Sequence, residues 1–186
     1  MQVPFNFIIM NKICIKDPSS SLLNVGYKFG EPLYIKNRPY IFNKNSSNRL
    51  DYYTNIINLN ILPSYMLLLC VDANSSSIQN IVISSTIYKN LNNNDIKVLE
   101  KPLYKFNIYD IWKPIIYDYE IIIPKNNRIY FYNIAARNSY YNLLDLCDKH
   151  KIVLKINKGD LLIIDNRSIL LGYDTKYKKY SCMYLR

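Results

Sequence analysis

The stretch Lys158-Gly159-Asp160-Leu161-Leu162-Ile163-Ile164-Asp165-Asn166-Arg167 decides the fold. Glycine reaches backbone conformations closed to other residues, and a short carboxylate bonds back onto its own chain, so Asn157 to Asp160 reads as a turn. Leu161 to Ile164 is then aliphatic at every position. Such a run suits a strand covered on both faces, where alternation with polar residues is not needed. Asp165, Asn166 and Arg167 return the chain to polar ground. Turn closure and backbone capping explain these three; lining a pocket is the alternative.

Working outward, Ile152 to Ile156 alternates apolar with polar, the pattern of a half-covered strand. Asn138 to His150 spaces Tyr140, Leu143, Leu144 and Cys147 at helical intervals, with Asp145, Asp148 and Lys149 on the other side and Ser139 as the expected cap. Short β-like runs broken by Pro114 and Pro124 fill Tyr104 to Ile134, with strands expected at Ile121 to Ile123 and Ile129 to Tyr132. Ser85 to Leu99 reads as one or two short helices, capped within Asn92 to Asp95 and stopped by Pro102. The apolar runs Tyr65 to Val71 and Ile78 to Ser84 flank a turn-rich link, Asp72 to Ser77, and predict a hairpin. Asn43 to Asn48 reads as a loop, and Tyr180 to Leu185 as the last strand. Many short strands with few helices predict an antiparallel sandwich or barrel.

Bulk properties narrow the function classes. A chain of 186 residues with 49% hydrophobic content suits one domain, 1–186, with a substantial core. The net charge of +10 favours acidic partners, but Lys and Arg are scattered. The densest group, Lys176, Lys178 and Lys179, reads as a solvated basic surface rather than a nucleic-acid footprint. Heavy use of Asn, Ile, Lys and Tyr, the last at 19 residues, suggests an AT-rich genome and dilutes any functional reading of those counts. Cys14, Cys70, Cys147 and Cys182 are far apart and show no zinc-site spacing. Cys70 reads as a small buried hydrophobe, and a reducing, cytoplasmic setting is expected. Phe5 to Met10 is too short for a signal core, and no apolar run approaches the roughly 20 residues of a membrane span. Nucleotide-binding glycine loops and the G-x-S-x-G nucleophile motif are absent.

The Gly-Asp turn, the aliphatic strand and the closing Asp165-Asn166-Arg167 resemble the last motif of the clavaminate-synthase-like and taurine-dioxygenase-like iron(II)/2-oxoglutarate oxygenases. Leu62-Pro63-Ser64-Tyr65-Met66-Leu67-Leu68-Leu69-Cys70 looks like the strand after that family's first metal motif. Its continuation through Ile83-Ser84 to the Leu91–Pro102 segment is similar to the asparagine-oxygenase branch, and Phe29-Gly30-Glu31-Pro32 is a weaker third match. The resemblance spans residues 22 to 186. It implies a mainly β domain with flanking helices, a double-stranded β-helix or jelly roll, truncated at its N-terminus relative to the family. It also implies two facing sheets with the Asn138 to His150 helix packed outside; Leu161 to Ile164, apolar on both faces, is expected to be the central strand.

The family's chemistry needs iron(II) held by two His and one carboxylate, with a basic side chain for 2-oxoglutarate. Carried over by position, the first motif falls on Tyr53-Thr54-Asn55, with Tyr53 for the His and Asn55 for the carboxylate; a shifted register offers Asp51. The distal His falls on Leu171, the later Arg near Cys182 with Arg186 as a substitute, and the hydroxyl position near Gln79 or Asn80. The chain contains a single His, His150, at the end of the expected helix. A helix-terminal role explains it better than catalysis, although Cys147 lies one turn earlier.

The resemblance therefore implies a degenerate oxygenase-like protein with no metal and no cofactor, serving as a binding or interaction module. The expected occupants are a protein partner, a paralogue or a small molecule held in the old pocket. Candidates to line that pocket are Asp51, Asp165, Asn166, Arg167, Cys182 and Arg186. The alternatives are a metal-independent enzyme using Asp51, Tyr53 or Asp165 as acid/base groups, or a non-catalytic subunit of an active paralogue. Tyr53 is expected to fill the vacant iron position with its ring.

Overall fold

Leu161 to Ile164 is buried at every residue, and the two sets of alternating side chains enter different cores. Leu162 and Ile164 join Met66, Leu68, Cys70, Ile81, Ile169, Leu171, Tyr180 and Cys182 in one cluster. Leu161 and Ile163 join Leu22, Leu67, Leu69, Met183 and Leu185 in another. Successive strand side chains point to opposite faces, so a run without polar interruption is the signature of a strand covered twice.

The structure is a computed structural model that describes residues 6–41, 52–54, 63–73, 78–106, 111–124, 129–172 and 178–186. In chain order its elements are β1 (Phe7–Met10), α1 (Pro18–Gly26), β2 (Pro32–Ile41), β3 (Tyr52–Tyr53), β4 (Tyr65–Ala73), β5 (Ile78–Ile83), α2 (Ser84–Asn90), α3 (Asn93–Leu99) and β6 (Tyr104–Phe106). They continue as β7 (Ile116–Tyr117), β8 (Glu120–Ile121), β9 (Ile129–Phe131), α4 (Ile134–Lys149), β10 (Ile152–Lys155), β11 (Leu161–Asp165), β12 (Ile169–Gly172) and β13 (Lys178–Leu185).

One antiparallel sheet has the order β1-β11-β4-β13-β2, and the facing sheet has the order β10-β5-β12-β3. Chain neighbours β11 and β12 lie in different sheets, as do β12 and β13, so the chain passes repeatedly from one sheet to the other. This is the double-stranded β-helix. Helix α1 covers the outer face of the larger sheet through Leu22. Beyond the smaller sheet, Tyr52, Val82 and Leu170 meet α2, α3 and α4 through Ile87, Leu99, Leu143, Leu144 and Cys147. The layers run α1, large sheet, small sheet, helices.

Several expectations change in detail. The runs around Asp72 to Ser77 do not form a hairpin: β4 lies in the large sheet and β5 in the small one. Two doubly covered strands look alike whether they pair or face each other, so composition cannot distinguish the cases. Strand β11 is internal, but the middle of its sheet is β4. Helix α4 begins at Ile134, before the expected Asn138, because Asn133 caps it: its Oδ1 accepts from Ala136 N–H at 2.8 Å. The early turn exposes Ile134 and Arg137, so it carries no apolar periodicity to read. Ser139, the expected cap, is buried mid-helix and donates to Asp95 Oδ1 at 2.6 Å. Ile121 to Ile123 is strand only at Ile121.

The two short helices α2 and α3 stand where one or two were expected, and Asn92 caps α3 by accepting from Asp95 N–H at 2.8 Å. The elements not anticipated include strands β1, β2 and β12 and helix α1, the last announced by Asp17-Pro18, an N-cap followed by proline at the helix start. Asn43 to Asn48 and Lys176 lie outside the described residues, and Lys178 and Lys179 form the start of β13.

Candidate functional site

The site begins with a backbone register. Strand β12 is the junction of the small sheet: Leu171 stands opposite Ile81 of β5 on one side and opposite Tyr53 of β3 on the other. Position 53 and position 171, 118 residues apart, are thus direct cross-strand partners. Leu171 is fully buried and belongs to the layer between the sheets, where its neighbours include Ile81, Ile169, Leu162, Ile164 and Cys182. The buried hydrophobic side chains of that layer include Tyr180 and the thiols of Cys70 and Cys182, and Gln79, two residues before Ile81 on β5, is a buried polar residue on the same strand face.

Strand β3 is short but firmly tied. Tyr52 is buried with its hydroxyl donating to Asp148 Oδ1 of α4 at 3.0 Å. Burial first, and then the Asp148 carboxylate, push that phenol far above its usual range. Thr54 is also buried: its N–H donates to Ile123 O at 2.7 Å, its hydroxyl donates to Ile121 O at 3.1 Å, and Ile123 N–H donates to the same hydroxyl at 3.3 Å. The residues on either side of Tyr53 therefore anchor the strand to α4 and to the Ile121–Ile123 segment. Across the ladder, Gly172 lets the Tyr52 ring approach: a Cβ there would lie 2.9 Å from Tyr52 Cε1. Gln79 donates its amide to Gly172 O at 2.9 Å and to Asn80 O at 3.0 Å, so it stitches this end of the small sheet.

The remaining sequence candidates scatter. Asp51 and Asn55 lie outside the described residues. Asp165 closes the turn between β11 and β12: its Oδ1 accepts from Arg167 N–H at 3.0 Å and its carbonyl from Ser168 N–H at 3.2 Å. Asn166 is buried and donates its amide to Pro63 O at 3.1 Å. Arg167 is exposed, 3.9 Å from Glu120. Burial raises Glu120 above the usual carboxylate range; Arg167 opposes the rise, and Asp165 and Asp118 add to it. Cys182 shares the inter-sheet cluster with Leu171. Arg186 is exposed, its N–H bonded to Glu31 O at 3.0 Å. Leu171, the Tyr53 backbone position and Cys182 are brought together; Asp165, Asn166 and Arg167 sit in the turn leading into β12.

At the turn that opens the deciding stretch, Gly159 has φ +88° and Asp160 Oδ2 accepts from Asn157 N–H at 2.8 Å. His150 forms the C-cap of α4, its N–H bonded to Leu146 O at 2.9 Å. Cys147 is fully buried, and burial pushes its thiol far above the usual range, which disfavours the thiolate that cysteine chemistry needs. Sequence reasoning missed the buried carboxylate Asp95, which takes hydrogen bonds from Ser139, Asn142 and Asn92 and joins α3 to α4. The polar positions Ser139 and Asn142, one helical turn apart, were the signal. Among the described residues, no group of three His, Cys, Asp or Glu side chains gathers as a metal site would require.

The architecture has clear counterparts among solved structures. Asparagine oxygenase superposes with a TM-score of 0.77 at 13% identity, over 97% of this chain and 73% of that one. Its complex with Fe(II), 2S,3S-3-hydroxyasparagine and succinate gives 0.76 at 14% identity, over 97% and 74%. The non-heme iron oxygenase OrfP, with iron and alpha-ketoglutaric acid, gives 0.72 at 14% identity, over 98% and 75%. No protein-family model and no curated protein matches the sequence. The likeness is one of fold.

Proposed function

We propose that this chain is a single oxygenase-fold domain that has given up the iron/2-oxoglutarate reaction and serves as a binding or interaction module. The observation that carries the reading is Leu171. The sequence resemblance assigns it the place of a metal-binding His, and it is fully buried among aliphatic side chains, in register with Tyr53. An isobutyl group offers no lone pair, and a chain with one His cannot supply two imidazoles to a common centre. His150, the one imidazole present, caps α4. The residues present thus do not fit the iron site of the fold's relatives, and no catalytic step is derived through a metal.

The reading is supported further by the polar remnants of the motif. Asp165 and Asn166 spend their side chains on the turn into β12 and on Pro63, where they hold the framework. Purified protein, loaded anaerobically with iron(II) and then analysed for bound metal and for succinate formed from 2-oxoglutarate, tests the proposal. The expected result is substoichiometric iron and no succinate above a protein-free control. One iron per chain with succinate release would overturn it.

A further inference from the structure

We draw no further inference here: the strongest candidate, the exposed aromatic face that Trp112, Tyr130 and Tyr132 form on the β6–β9 ribbon beside Ile134 and Tyr141 of α4, carries nothing because nothing in the structure shows what covers it.

Discussion

Two glycines separate conformation from space. Gly159, in the turn that opens the deciding stretch, sits at φ +88°, and a Cβ there would find ordinary contacts, the nearest being Ile13 O at 3.4 Å. Gly159→Ala therefore costs stability through the backbone, about 1–2 kcal/mol. Gly172 has no such conformation, but its Cβ would lie 2.9 Å from the buried Tyr52 ring and 3.0 Å from Asn80 Cβ. Gly172→Ala therefore costs about 1–3 kcal/mol by overpacking. Denaturant melts of both variants check the magnitudes. Tyr52→Leu, combined with Gly172→Ala, should recover part of the second loss and none of the first. The roles of Gly159 and Asp160 were legible because a turn must precede a strand buried on both sides. Gly172 was not legible, since nothing local to residues 169–172 announces a tyrosine arriving from β3.

At the level of elements, what could be read was what depends on near neighbours. The helical character of Ser85 to Leu99, the alternation of β10 and the apolar stripe of α4 all follow from residues a few positions apart. The start of α4 did not follow from its stripe, because the first turn is exposed and is set by a cap alone. Asn133→Ala removes the acceptor for Ala136 N–H and should destabilise the protein by about 1 kcal/mol, with Asn133→Asp close to neutral; thermal melts distinguish the two. Between elements, Tyr52 links β3 to α4 and Tyr104 links β6 to α4, with its hydroxyl 3.2 Å from Ala136 O. Burial is the main cause that raises both phenols above their usual range, aided by Asp148 and Asp95 respectively. The sign follows from the unfolded chain, where tyrosines ionise near about 10. Below that pH both phenols are neutral in either state and their contribution to stability is whole. As pH rises through it the unfolded chain loses protons that the folded one keeps, and stability falls. The phenolate absorbance of the native protein should rise in two phases, the exposed tyrosines first and these two only with unfolding. Tyr52→Phe should reduce the alkaline loss of stability. A single phase that leaves the fold intact would remove the argument.

For the whole molecule, the resemblance implied two facing sheets and the apolar runs marked buried strands, but not which strands share a layer. Met66, Leu68, Ile81 and Leu171 are equivalent as apolar positions, and only the crossings between sheets separate β4 from β5 and bring position 171 beside position 53. Of the candidate site, the resemblance of the flanking motifs supplied the positions, and the β3–β12 register sets position 53 opposite position 171, while Asp51 and Asn55 lie outside the described residues. The register of β12 with β3 gives the test of the degenerate reading. Leu171→His alone places an imidazole among aliphatic side chains and should destabilise the fold by about 1–3 kcal/mol. Adding Tyr53→His and Asn55→Asp supplies two imidazoles and a carboxylate, and cobalt(II), used as a spectroscopic stand-in for iron(II), should then bind and raise the melting temperature of the triple variant. A ligand that binds only the folded state stabilises it in proportion to occupancy, so the rise must grow with cobalt concentration and be absent in Leu171→His alone. Circular dichroism separates a failed site from a failed fold. A folded triple variant blind to cobalt would mean that Tyr53, Asn55 and Leu171 are not the vestigial ligand positions. The single His of these 186 residues is a fact of composition and does not depend on the β3–β12 register.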